Sequence, residues 1–200
     1  HYLQLRKLGL NILTVDYRGY GESSGDPSER GIYDDALAAY EYLRSMQHVP
    51  AERIIVYGYS LGSAVAVDVV SKVPAAGIIL EGAFPSITDV GQEHYPFLPV
   101  RLMASSHFSS REKIARVDVP KLFIHARDDQ TIPIQYGREL FEITLEPKTF
   151  LEVRGNHNTA HTVDAALFYS GIRLFLMQVQ ARNRMSALAG EEETVDVARR

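Results

Sequence analysis

Short apolar runs alternate with stretches of helical periodicity along most of this chain. Asn11-Ile12-Leu13-Thr14-Val15, Ile54-Ile55-Val56-Tyr57, Gly77-Ile78-Ile79-Leu80, Lys121-Leu122-Phe123-Ile124 and Thr149-Phe150-Leu151-Glu152-Val153 are brief, rich in strand formers and read as strands. Between them lie segments that repeat apolar residues every three or four positions. Tyr2 to Leu8 reads as the end of a helix stopped by Gly9. Ser28-Glu29-Arg30-Gly31 opens a helix carrying Ile32, Ala36, Tyr40 and Leu43 on one face. A second follows Gly58, runs through Val73 and ends at Pro74. Ile134 to Ile143 and Val163 to Ala181 complete the set. Strands apolar on both faces, alternating with helices, predict an α/β protein with a mostly parallel sheet and helices on both faces.

Two stretches break the rhythm. Residues 82–119 carry Phe84, Tyr95, Phe97, Leu98, Met103 and Phe108 without a clear strand, too long for an ordinary connection. They read as a cap-like insertion that could accommodate an acyl chain. From Asn183 onward the periodicity fades around Glu191-Glu192-Glu193, so 183–200 reads as a flexible tail and 1–182 as one domain. The opening His-Tyr-Leu has no Met, no charged n-region and no cleavable apolar stretch. Upstream sequence is therefore expected, and any signal or membrane anchor would lie there.

Composition removes several classes. With 21 Lys and Arg against 25 Asp and Glu, the formal charge of −4 offers no basic field for nucleic acid. The absence of cysteine excludes disulfides and thiol catalysis within these residues. The longest run without a charged residue, Ile54 to Val67, is short of the roughly 20 residues a bilayer span needs.

Gly58-Tyr59-Ser60-Leu61-Gly62 matches G-x-S-x-G, which this composition would yield by chance about 0.07 times. The motif directly follows a strand and directly precedes a helix, the setting of a nucleophile elbow. In that setting both glycines are expected to clear room between strand and helix. A serine hydroxyl needs a base, and the base an orienting acid. His157, in Arg154-Gly155-Asn156-His157-Asn158 after the last strand, is the leading base, with His161 behind it. His125 ends a strand and reads as a buried core residue. The acid should close the preceding strand, so Asp128 and Asp129 compete, with Glu81 a third possibility. Tyr17, Arg18 and Tyr20 could line the site, but a turn stabilised by Asp16 and glycine explains them as well.

These settings of Ser60, Asp129 and His157 resemble the α/β-hydrolase superfamily from Tyr2 to about Ala181. Val15-Asp16-Tyr17-Arg18-Gly19-Tyr20-Gly21, Gly58 to Ser63, Leu80-Glu81-Gly82-Ala83-Phe84, His125 to Pro133 and Gly155-Asn156-His157-Asn158 resemble, more narrowly, the single-domain family of depalmitoylases, monoacyl-lipid hydrolases and serine-aminopeptidase-like members. The family's usual H-G-x-x-D-x-x-V-P pattern selects Asp129 over Asp128, although Ala126 stands where glycine is usual. The resemblance also implies an oxyanion hole built from Leu61 N–H and a second donor. That donor lies on a loop which, with the family's third strand, would precede Tyr2. The third strand lies between those represented by Asn11–Val15 and Ile54–Tyr57, so a gap in the sheet and an inactive fragment are expected.

The function implied is serine hydrolysis of a carboxylic ester or thioester, with an acyl-bearing or other small-molecule substrate and no cofactor. A peptidase using the same triad and a non-catalytic binding module on the same fold are the alternatives. Metal binding has little support, since His157 and His161 lack an acidic neighbour and no H-E-x-x-H occurs.

Overall fold

The computed structural model describes the backbone of residues 1–198 and the side chains of residues 1–188. Four parallel strands form one sheet in the order β1 (Ile55–Tyr59), β2 (Gly77–Glu81), β3 (Lys121–Ala126) and β4 (Lys148–Val153). Each strand occupies a run that its apolar residues predict, extended by one or two positions at an end, although β1 starts at Ile55 and leaves Ile54 outside. In β2 and β3 every residue is buried, as a sheet covered on both faces requires.

Alternation along the strands sorts the core into two layers. Ile79, Leu122 and Ile124 pack with Leu5 of α1 (Tyr2–Lys7) and with Phe168, Ile172 and Phe175 of the C-terminal helix. Ile78, Leu80 and Phe123 face the opposite way. They meet Ala66, Val67 and Val70 of α3 (Leu61–Val70), with Leu140 of α7 (Ile134–Glu142). Helix α2 (Glu29–Glu41) lies outside α3, and Ser28 caps it by accepting a hydrogen bond from Gly31 N–H at 3.1 Å.

Residues 82–119 hold three short helices, α4 (Ile87–His94), α5 (Val100–Met103) and α6 (Arg111–Ile114). Phe84, Val90 and Phe108 are buried against α2 and α3, whereas Phe97 is 97% exposed and Leu102 88% exposed. Helix α8 (Ala160–Val163) leads into α9 (Ala165–Ala198). The backbone of α9 stays helical well past Ala181, where the sequence predicts a tail. Val163 belongs to α8, so the helical stretch predicted from that residue is broken at Asp164. Of the predicted tail, Arg199 and Arg200 lie outside the described residues.

The expected strand at Asn11–Val15 does not form. These residues run without a strand partner, and Ile12, Leu13 and Val15 are exposed. A strand is defined by its ladder, and among the described residues no strand pairs with this segment. Two cavities separate it from β1. One of about 810 Å³ lies between Ile12–Val15 and Ile54–Tyr57, and another of about 870 Å³ between Gly9–Leu13 and Ile54–Ile55. The space lies where the family resemblance places a further strand.

Gly58 fixes the approach of α3 to the sheet. A Cβ built there would lie 2.2 Å from the Gly62 carbonyl oxygen and 2.6 Å from Ser63 Cα, both backbone atoms that cannot yield cheaply. Gly58→Ala is therefore expected to destabilise the fold by about 3 kcal/mol or more, in the range of severe overpacking and backbone displacement. Thermal or urea denaturation checks it. Gly62 behaves differently from the expectation for the motif. A Cβ there would meet only the Tyr17 hydroxyl at 3.9 Å, because this position faces the open cavity rather than the strand.

Candidate active site

Ser60 occupies the turn between β1 and α3 with φ 52° and ψ −122°, a conformation rarely adopted by a residue with a side chain. Such strain costs of order 1–3 kcal/mol and is kept only where neighbours enforce it. Here Ser60 N–H donates to the Glu81 carbonyl at 2.8 Å, tying the turn to the end of β2. Leu61 is the first residue of α3, so its N–H has no intrahelical acceptor, and Leu61 lines the same cavity as Ser60.

His157 comes from the loop after β4. Its Nε2 lies 2.9 Å from Ser60 Oγ, and its Nδ1 lies 2.7 Å from Asp129 Oδ2. Two contacts shape that loop. The Tyr59 hydroxyl donates within reach of the His157 carbonyl at 3.0 Å and of Asn158 Oδ1 at 2.9 Å. Gly155, at φ 108°, takes a backbone conformation that favours glycine.

Asp129 is 6% exposed in the loop after β3. Its Oδ1 accepts from Thr131 N–H at 2.9 Å and Ile132 N–H at 2.8 Å, leaving Oδ2 for the imidazole. Burial alone would raise its carboxyl. The hydrogen bonds from His157 and Ile132 outweigh burial and hold it below the usual aspartate value. An ionised carboxylate accepting from Nδ1–H leaves Nε2 as the acceptor nitrogen.

The other candidates fall elsewhere. Asp128 donates its N–H to the Gly155 carbonyl at 3.2 Å, and its side chain is exposed. His161 faces the cavity and stacks edge-on to His1, with ring centroids 5.1 Å apart. His125 is buried, with its Nε2 2.8 Å from the Ile132 carbonyl oxygen, and so braces the Asp129 loop from behind. Tyr17 lines the cavity beside Ser60, while Arg18 is held in a fork on Asp35 at 2.7 and 3.1 Å. Residues 82–119 do not line that cavity; its apolar wall comes from α1, Ile12–Val15, α2, β1 and α3. Among the described residues no cluster of three or more His, Asp or Glu could hold a metal. No helix among them is long and apolar enough to cross a membrane.

The sequence reading missed one pairing, the acceptance by Glu81 of a hydrogen bond from the Tyr57 hydroxyl. Its signal was the presence of a tyrosine and an acid at the ends of adjacent apolar runs.

A parallel sheet, a strained serine between strand and helix, and a histidine after the last strand together define one class of protein. Residues 3–105 match the alpha/beta hydrolase fold family, and the chain belongs to it. The chain is 40% identical over 175 residues to an uncharacterized protein of Mycobacterium tuberculosis, covering 87% of this chain and 62% of that protein. It is 34% identical over 166 residues to the lysophosphatidylserine lipase ABHD12 of Danio rerio, covering 74% of this chain and 43% of the lipase. It thus spans about three fifths of the first relative and less than half of the second. Among solved structures, the esterase Pf2001 of Pyrococcus furiosus shares the fold at a TM-score of 0.73 and 21% identity, over 88% of this chain and 73% of the esterase.

Proposed function

We propose that this chain carries the catalytic machinery of a serine hydrolase that cleaves carboxylic esters or thioesters through an acyl-enzyme. The observation that supports it is a single imidazole bridging a strained serine, at 2.9 Å, and a buried carboxylate, at 2.7 Å. Ser60 Oγ attacks the acyl carbonyl carbon while His157 Nε2 takes the hydroxyl proton. The negative charge that develops on the carbonyl oxygen is met by Leu61 N–H. In the α/β-hydrolase fold a second backbone N–H donor completes the oxyanion hole. Collapse of the adduct breaks the bond to the alcohol or thiol, which leaves with the proton from His157. Water then attacks the acyl-enzyme with His157 again as base, releasing the carboxylic acid and restoring Ser60. Asp129 holds the tautomer and stabilises the imidazolium. The sequence balances without a cofactor.

The similarity to lysophosphatidylserine lipases favours a monoacyl lipid ester within the ester and thioester class. The test compares the full-length protein on a monoacyl glycerophospholipid, an acyl thioester and an aminoacyl amide. Turnover of either acyl substrate is expected, with the lipid ester foremost. Turnover of the amide alone would move the protein to the peptidases. No turnover by folded protein would favour a binding module.

A further inference from the structure

The mechanism leaves Glu81 unused, although it lies at the centre of the site. Glu81 is the last residue of β2 and is 7% exposed. Its carbonyl anchors Ser60, and its carboxylate accepts the Tyr57 hydroxyl, its one side-chain hydrogen-bond partner among the described residues. The next residue, Gly82, has φ 59° and lies next to the imidazole. A Cβ there would fall 3.3 Å from His157 Cε1 and 3.8 Å from Asp129 Oδ2. Glu81 also shares the cavity wall with Tyr59, Ser60, Leu61 and Asn158. No Lys or Arg pairs with it among the described residues. A buried carboxylate without a cation is costly. The cation that can appear beside it is the imidazolium formed when His157 takes the serine proton.

We propose that Glu81 is a positioning residue for this reaction, a second carboxylate whose charge, fixed in place by Tyr57, favours the imidazolium that His157 becomes in the transition state. The inference rests on the serine-hydrolase reading. Because the interaction is stronger in the transition state than in the resting enzyme, it raises the rate rather than merely tightening binding.

Tyr57 from β1 contacts the Glu81 carboxylate, and the other titratable groups close enough to interact with its charge are Tyr59 from β1, Tyr169 from α9, Asp129 from the loop after β3 and His157 from the loop after β4. His1 and His161 border the same cavity. Burial pushes the Glu81 carboxyl up to about 6. The Tyr57 hydrogen bond and His157 pull it down, and Asp129 pushes it up. The contribution is thus present above that value and lost as pH falls through it.

The test is the pH profile of kcat/KM for the wild-type protein, Glu81→Gln and Tyr57→Phe, in the full-length protein. Protonation of Glu81 adds a loss to the acid side of the wild-type profile, so log kcat/KM should fall there more steeply than a single ionisation allows, with a local slope above about 1. Glu81→Gln should reduce that slope to about 1 and lower the plateau about tenfold, the scale of one charge interaction near a protein site. Tyr57→Phe removes a hydrogen bond that lowers the Glu81 carboxyl, so its acid limb should move to higher pH. It carries the test if Glu81→Gln does not fold. A purely structural role would lower the rate equally at every pH. An unchanged slope in Glu81→Gln and an unmoved limb in Tyr57→Phe would overturn the inference. Labelling of wild-type Ser60 by a fluorophosphonate separates the two failures. Absent labelling overturns the hydrolase reading, whereas intact labelling with unaltered limbs overturns the role of Glu81 alone.

Discussion

Ser60→Ala is expected to lower kcat/KM on an acyl ester by about 10⁴–10⁶-fold, and adding His157→Ala is expected to cost almost nothing further. Residues that act as one unit are strongly non-additive, because the base has no work once the nucleophile is gone. The expectation follows from the geometry. Ser60 Oγ has the acceptor nitrogen of His157 at 2.9 Å, and Ser60 itself is held in a strained turn at φ 52°. Steady-state kinetics of the two single variants and the double variant checks it. Additive losses would mean that the two side chains act in separate steps or not at all.

Asp129→Asn carries the second large effect, a fall of about 10⁴-fold in kcat with the fold intact. An amide at this position can still accept through its oxygen, and Thr131 and Ile132 N–H already claim that oxygen. The NH₂ group then faces Nδ1 as a donor, which selects the tautomer carrying its proton on Nε2, and that nitrogen can no longer receive the serine proton. Asp128→Asn, whose side chain is exposed, is expected to stay within about threefold of wild type. The contrast between neighbouring aspartates distinguishes a loss of the acid from a general disturbance of the loop. Comparable kcat values for the two variants would contradict the assignment.

Much of this architecture was legible from local pattern. The apolar runs at Ile54, Gly77, Lys121 and Thr149 became β1 to β4, because residues buried on both faces leave an unbroken apolar signature. Asn11–Val15 has the same signature and no strand. Pairing is a long-range property, and no strand borders it on the side facing β1. In residues 82–119 the helices are too short to show a period, the longest being α4 with eight residues. Their fixing contacts come from outside the segment, such as Glu29 accepting His107 N–H at 2.7 Å and Phe108 N–H at 3.0 Å. That segment was expected beside an acyl chain, yet the cavity at Ser60 is walled by other elements.

The site divides in the same way. Ser60 and His157 stand out by their flanking glycines and their place at strand ends, and the fold brings them together across 97 residues. Local sequence did not separate Asp128 from Asp129; the family pattern did. The physical distinction is the pair of backbone N–H groups from Thr131 and Ile132 that turn Asp129 inward. The partnership of Glu81 with Tyr57 depends on the parallel register of β1 and β2, in which Tyr59 lies opposite Glu81 and Tyr57 lies two residues earlier on the same face. No single-strand pattern encodes that.

The most direct measurement is active-site labelling of the full-length protein with a fluorophosphonate, with the modified residue located by mass spectrometry. A single adduct on Ser60, lost in Ser60→Ala and sharply reduced in His157→Ala, is the expected result. A folded full-length protein that takes no label, or takes it at another residue, would contradict the account.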